Sequence, residues 1–244
     1  MRHPEEKSHN TSRHPRQGPD HRRCAPCESR TPTSLSPGEW PIRVTVAGRV
    51  ITLHDGVPAA SDGFVTGLAA TIRDSCGYVM TGPYLATLFG REGGCREAEF
   101  LLPHLSPSLF LDVMAGIRAA GYTIMTPGEE RDLFRMVGGQ GIRIAPGDGF
   151  FPNALVRCIH HDAEEYAYLH RRHLRFGPHR LFITPPEILI PSILMPGAHC
   201  GTSGDAVYLH TLLEDQLCRR DLRTWIRHLG VTAEASAAGI EAPP

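Results

Sequence analysis

Residues 78–102 read YVMTGPYLATLFGREGGCREAEFLL. A short apolar strand, Gly77–Thr81, runs into the Gly82-Pro83 turn. A helix follows over Pro83–Phe89, with proline tolerated in its first turn, and Gly90-Arg91 ends it. Glu97–Leu102 then reads as a second strand. Side chains two apart on a strand share a face, so Glu97 and Glu99 point the same way and Ala98 points into the core.

A helix amino end presents unpaired backbone N–H groups and a positive dipole end. Opposite two carboxylates, it suits a triphosphate lying between N–H donors and carboxylate-held Mg²⁺. Two metals in such a site would activate an attacking oxygen and steady the leaving pyrophosphate. The competing reading is that Glu-Ala-Glu is a solvated strand face and Thr-Gly-Pro an ordinary turn, since motifs this short carry little information alone.

Outward from this stretch, strands and helices alternate. Ile42–Val46 and Arg49–His54 flank Ala47-Gly48 and read as a β-hairpin. Ser61 or Asp62 caps a helix running to about Ser75. Ser106 or Ser108 starts an amphipathic helix through Ala120, with Leu109, Val113, Met114 and Ile117 on one face and Gly121 after it. A helix over Glu129–Val137, a strand over Ile142–Ala145 and a turn at Gly147–Phe151 come next. Residues 154–158 read as a strand, 162–175 as a polar stretch with helical character, and Arg180–Thr184 as a strand. Pro186–Met195 is an apolar helix interrupted near Pro191, and Asp205–Leu217 and Asp221–Leu229 are closing helices. The expected fold is α/β or α+β: a short mixed sheet flanked by helices, with a C-terminal helical part over about 186–231.

Residues 1–38 carry almost no large apolar groups and read as a disordered arm, the folded domain spans 39–231, and 232–244 reads as a flexible tail. The formal net charge of −1 provides no global field toward nucleic acid or a membrane, and neither is an expected partner. Lys7 is the only lysine, so the folded part has none to serve as a nucleophile or phosphate ligand. Seven cysteines, an odd number irregularly spaced, and an amino terminus without an apolar core segment point to a reduced, cytoplasmic setting.

The 78–102 stretch resembles the nucleotidyltransferase fold of the DNA polymerase β superfamily. In that fold a strand leads to a glycine turn, a helix ending in Gly-Arg, and a strand with Asp-x-Asp. Gly82, Gly90-Arg91, Glu97 and Glu99 fall on those positions. The chain is further similar to a stand-alone prokaryotic branch of that family through Ile142-Arg143-Ile144, Phe151-Pro152-Asn153, LFITPPE at 181–187, Gly204-Asp205-Ala206 with Tyr208-Leu209, and DLRTWIRHLGV at 221–231. This resemblance covers about residues 42–231. It implies transfer of a nucleoside monophosphate from a nucleoside triphosphate to a hydroxyl, with Mg²⁺ as cofactor. Glu97 and Glu99 would be catalytic metal ligands, Thr81 and Gly82 would cradle phosphate, and Arg91 and Arg96 would steady charge. The acceptor is not named by any motif.

The polar positions depart from the family pattern. Both aspartates are glutamates, and Pro83 removes one backbone N–H. Arg143 stands where the third carboxylate is expected, with Asp148 the nearest acidic residue. Ile193 replaces a lysine, and residues 200–204, CGTSG, lack the family's Lys-Asp. Apolar positions and turn glycines are kept while ionic ones drift, so the expectation is a transferase with weakened or lost activity. The alternatives are a non-catalytic nucleotide- or partner-binding pseudoenzyme and a His/Cys metal-binding protein. For the last, Cys24-x-x-Cys27 and the histidines at 160, 161, 170, 173 and 179 are the candidates, with His170 and His173 placed on one helical face. Structural zinc needs four ligands, and Cys24 and Cys27 have only His14 and His21 near them, while no Glu falls between His170 and His173 in the His-Glu-x-x-His manner. Arg171, Arg172, Arg175 and Arg180 make a basic patch diluted by Asp162, Glu164 and Glu165, which reads as a solvated face.

Overall fold

A computed structural model describes residues 42–54, 60–147, 149–196 and 202–240. The 1–38 arm, its Cys24/Cys27 pair and Asp148 lie outside them. The amino-terminal hairpin pairs β1 (Arg43–Ala47) with β2 (Val50–His54), turning through Gly48 at φ 60°. Helix α1 (Ala60–Ser75) and strand β3 (Val79–Thr81) follow. The short helix α2 (Tyr84–Leu88) leads to β4 (Glu97–Leu102), which pairs antiparallel with β3.

Helix α3 (Pro107–Ala119) starts where expected. The Ser106 hydroxyl accepts the Leu109 N–H at 3.2 Å, and Pro107 occupies the first turn. Its buried face is Phe110, Val113, Met114 and Ile117, and each such side chain contributes about 1.5–3 kcal/mol on burial. Leu109, read from sequence as part of that face, is only partly buried. Strand β5 (Tyr122–Ile124), helix α4 (Glu130–Val137), β6 (Ile142–Pro146) and β7 (Asn153–Cys158) complete the middle of the chain.

The polar stretch 162–175 is not one helix. It divides into α5 (Asp162–Leu169) and β8 (Arg172–Phe176), which forms a hairpin with β9 (His179–Ile183). His170 therefore ends a helix while His173 stands on a strand, and they share no helical face. Helices α6 (Pro186–Ile193), α7 (Ser203–Leu213), α8 (Arg219–His228) and α9 (Thr232–Ala237) close the fold, with a 3-10 turn at Glu214–Gln216. The first residues of the expected tail form α9, with Ala235 and Ile240 buried.

The strands form one mixed sheet in the order β1-β2-β8-β9-β3-β4-β7-β6-β5. The alternation of elements thus yields the expected mixed sheet with flanking helices. It is wider than the sequence suggested, since β5 and β8 were not legible. On β4, Ala98, Phe100 and Leu102 join the main hydrophobic core. Glu97, Glu99 and Leu101 face the other way, as period-two alternation requires. No helix among the described residues is long and apolar enough to cross a membrane.

Candidate functional site

The second face of the sheet gathers the polar residues of its central strands. Thr81 is paired with Glu99, Glu97 with Asn153, Glu99 with Leu155, Leu101 with Arg157, and Arg143 with Leu155. Glu97, Glu99, Asn153, Arg157 and Arg143 consequently share one surface. Strand β7 lies between β4 and β6, so Arg143 is one strand further from the glutamates than an adjacent-strand placement would have it.

Each glutamate is held by an arginine. Arg143 donates through Nη1 to Oε2 of Glu97 and reaches Oδ1 of Asn153 at 3.4 Å. Arg157 donates through Nε to Oε1 of Glu99 at 2.8 Å, and its Nη2 lies 2.8 Å from the same oxygen. Nη2 also donates to Oε1 of Glu164 at 2.6 Å, and Nη1 to the Cys158 carbonyl at 3.4 Å. The other oxygen of Glu164 accepts the His160 N–H at 2.8 Å. Burial opposes the Arg157 charge, but hydrogen bonds and the charges of Glu164 and Glu99 raise its pKa above the usual value. Burial alone would raise the Glu164 carboxyl, yet the Arg157 and His160 hydrogen bonds and the Arg157 charge take it below its usual range.

A cleft of about 560 Å³ opens beside this network. Thr81, Gly82, Pro83, Glu99 and Arg157 form its sheet side. Leu101, Ile188, Ile193 and Leu229 supply much of its apolar wall. Gly82 adopts φ 81°, and a Cβ there would lie 3.2 Å from Oε2 of Glu99. Glycine thus permits both the turn and the close approach of the carboxylate.

Thr81, Gly82 and Glu99 meet in this cleft, while Glu97 stands beside it in its pair with Arg143. The start of α2 is a poor phosphate cradle. The Leu85 N–H bonds to the Gly82 carbonyl at 3.2 Å and the Ala86 N–H to that of Pro83 at 3.0 Å, and Pro83 has no N–H to give.

Arg91 and Arg96 do not reach the glutamates' network. Arg91 pairs through Nε with the buried Asp205, whose Oδ2 also accepts the Thr202 N–H and hydroxyl at 2.8 and 2.9 Å. Asp205 thereby caps α7 and ties it to the end of α2. Tyr208 donates to the Phe89 carbonyl at 2.8 Å, and burial pushes its phenol up to about 12, with Arg91 opposing. Arg96 is exposed.

The donor set does not suit magnesium. Mg²⁺ requires near-octahedral oxygen ligands, whereas these two glutamates face guanidinium groups and the adjoining β7 positions are Asn153, Leu155 and Arg157. Among the described residues, no three His, Cys, Asp or Glu side chains converge to hold a metal ion. His160 instead contacts the Gly139 carbonyl at 2.9 Å, His170 stacks on Tyr166, and His173 packs edge-on against Phe182.

Sequence reasoning did not find Arg157 and Glu164. The signal was present: an arginine interrupts the otherwise apolar run Ala154–Cys158, on the parity that matches Glu99. Compared with protein-family models and with curated proteins, the chain matches none.

Proposed function

We infer that the chain is a nucleotidyltransferase-like protein that has lost transfer of a nucleoside monophosphate and serves as a non-catalytic binding protein through the cleft beside Glu99. One observation carries this reading: each carboxylate that would hold a catalytic metal is engaged by a guanidinium, Glu97 by Arg143 and Glu99 by Arg157. An arginine in that position competes with a divalent cation for the same oxygens and repels it by like charge. The Leu85 and Ala86 N–H groups support the same reading, because they are bonded to the Gly82 and Pro83 carbonyls and not turned to a ligand. What the fold retains is a cavity of small-molecule size with an apolar wall and a polar end.

The test is a transfer assay with labelled nucleoside triphosphates and Mg²⁺ or Mn²⁺. The expected result is no transfer above background in the unaltered chain. Robust turnover that Glu97→Ala abolishes would overturn the reading and restore the two glutamates as metal ligands.

A further inference from the structure

The charge balance of the cleft defines what it can hold. Its acidic residues are Glu99, Asp162 and Glu164, and its one arginine is Arg157. Every nitrogen of that guanidinium already donates, to Glu99, to Glu164 or to the Cys158 carbonyl. His228 is paired with Asp162 at 3.0 Å, and His161 is the remaining basic group at the rim. With Lys7 the only lysine in the sequence, the folded part has no ammonium group to add. A polyphosphate would therefore meet three carboxylates and one arginine whose three nitrogens are each already engaged.

The carboxylates are not equally satisfied. Both oxygens of Glu164 are bonded, one to Arg157 and one to the His160 N–H. Glu99 uses only Oε1, and Oε2 accepts no hydrogen bond from the described residues. Its side chain is 18% exposed, and Gly82 beside it contributes no side chain to cover that oxygen. A half-used carboxylate thus lines a cleft whose apolar residues include Leu101, Ile188, Ile193 and Leu229.

Building on the non-catalytic reading, we propose that this cleft binds a small organic cation, an aromatic or aliphatic body carrying a protonated amine, with the amine on Oε2 of Glu99 and the body against the apolar wall. The ammonium supplies the donor that Glu99 lacks and offsets the surplus negative charge. The apolar body removes the wall from water, which is the larger part of the affinity for a ligand of this size. A hydrogen bond between two charged groups at a partly buried site discriminates by about tenfold or more against a ligand without the cation.

Isothermal titration of the full chain with matched probes tests this. Tryptamine has the cation, indole-3-propionate has nearly the same shape with the opposite charge, and ATP, with and without Mg²⁺, represents the polyphosphate. Tryptamine is expected to bind saturably and at least about tenfold more tightly than indole-3-propionate, with no saturable binding of ATP. Glu99→Gln is expected to weaken tryptamine by about tenfold, measured on protein that still melts cooperatively. Ala163→Phe, which fills the cleft from its rim and keeps every carboxylate, is expected to eliminate binding. Absence of tryptamine binding, equal or tighter binding of indole-3-propionate or ATP, or an unchanged affinity in Glu99→Gln would each overturn the assignment. The probe pair on the unaltered chain decides the matter even if Glu99→Gln does not fold. Triphosphate turnover would sink the non-catalytic reading alone, whereas binding indifferent to charge would sink the ligand class alone.

Discussion

Replacing Arg157 with methionine should be the most informative single change in the polar face of the sheet. The side chain keeps most of its length and loses the guanidinium that joins Glu99 to Glu164. Those carboxylates are 18% and 17% exposed, and Arg157 itself is 17% exposed, so solvent does little to replace the lost partner. Stranding a buried charge pair costs about 3–5 kcal/mol, and the opening toward the cleft places this case at the lower end, about 3 kcal/mol at neutral pH. For a folded unit of this size, each kcal/mol lowers the melting temperature by about 2–4 °C, so the expected loss is about 6–12 °C.

The pH dependence gives a second, independent check. In the unaltered chain the Glu164 carboxyl is held below its usual range. Its contribution is therefore present above the unfolded carboxylate pKa of about 4.3 and lost as pH falls through the folded value. In Arg157→Met the Glu164 carboxyl loses the hydrogen bond and charge that lowered it, so its folded pKa rises and the penalty is relieved by protonation. The gap between the two proteins should shrink as pH is lowered from 7 toward 4, read by calorimetric melting at each pH. A melting temperature within about 1 °C of the unaltered chain at pH 7, or a gap that widens on acidification, would refute the account of Arg157 as the shared counter-charge.

Three further outcomes are expected. Gly82→Ala should cost about 1–2 kcal/mol in denaturant unfolding, because a side chain at φ 81° is strained and its Cβ would press on Oε2 of Glu99 at 3.2 Å. Gly141→Ala should cost about 1–3 kcal/mol more than Gly147→Ala in the same measurement. Both have positive φ, but only the first places a Cβ 2.7 Å from Leu155 Cδ1 and 3.1 Å from the Val156 carbonyl oxygen. Burial, with a smaller effect of Cys158, pushes the Cys76 thiol up to about 11, so alkylation at pH 8 followed by mass mapping should label exposed Cys218 well before Cys76. Raising the pH toward 11 should narrow that difference as the Cys76 thiolate forms.

Much of the fold was legible because local chemistry and tertiary structure agree. Ser106 followed by Pro107 marks the start of α3, and the Phe110, Val113, Met114 and Ile117 spacing marks its buried face. Glu97–Leu102 reads as a strand and is one, with its carboxylates on one face. Strand β5 was missed because three residues after a glycine turn carry too little periodicity. Strand β8 was missed because Arg172, His173 and Arg175 look like a solvated helix, although Leu174 and Phe176 bury themselves with period two. The site was legible only in part. Glu99 beside Gly82 follows from the strand-turn-helix pattern. That Arg143 and Arg157 neutralise the two glutamates depends on the β4-β7-β6 order, which is a long-range pairing that local patterns do not encode. The pairing of Asp205 with Arg91 likewise joins residues far apart in the chain, whereas its capping contact with Thr202 is local.

The insertion of the β8–β9 hairpin between β2 and β3 has a consequence for how the chain is made. Val50 pairs with His173 and Met80 with Ile183, so the amino-terminal half emerges from the ribosome with two of its ladders lacking neighbours. Nothing synthesised before residue 172 fills the gap. Closing such distant pairings is slow relative to local helix formation. A nascent or truncated chain ending before β8 would carry two bare strand borders, the sort of surface that invites pairing with another copy and recruits chaperones.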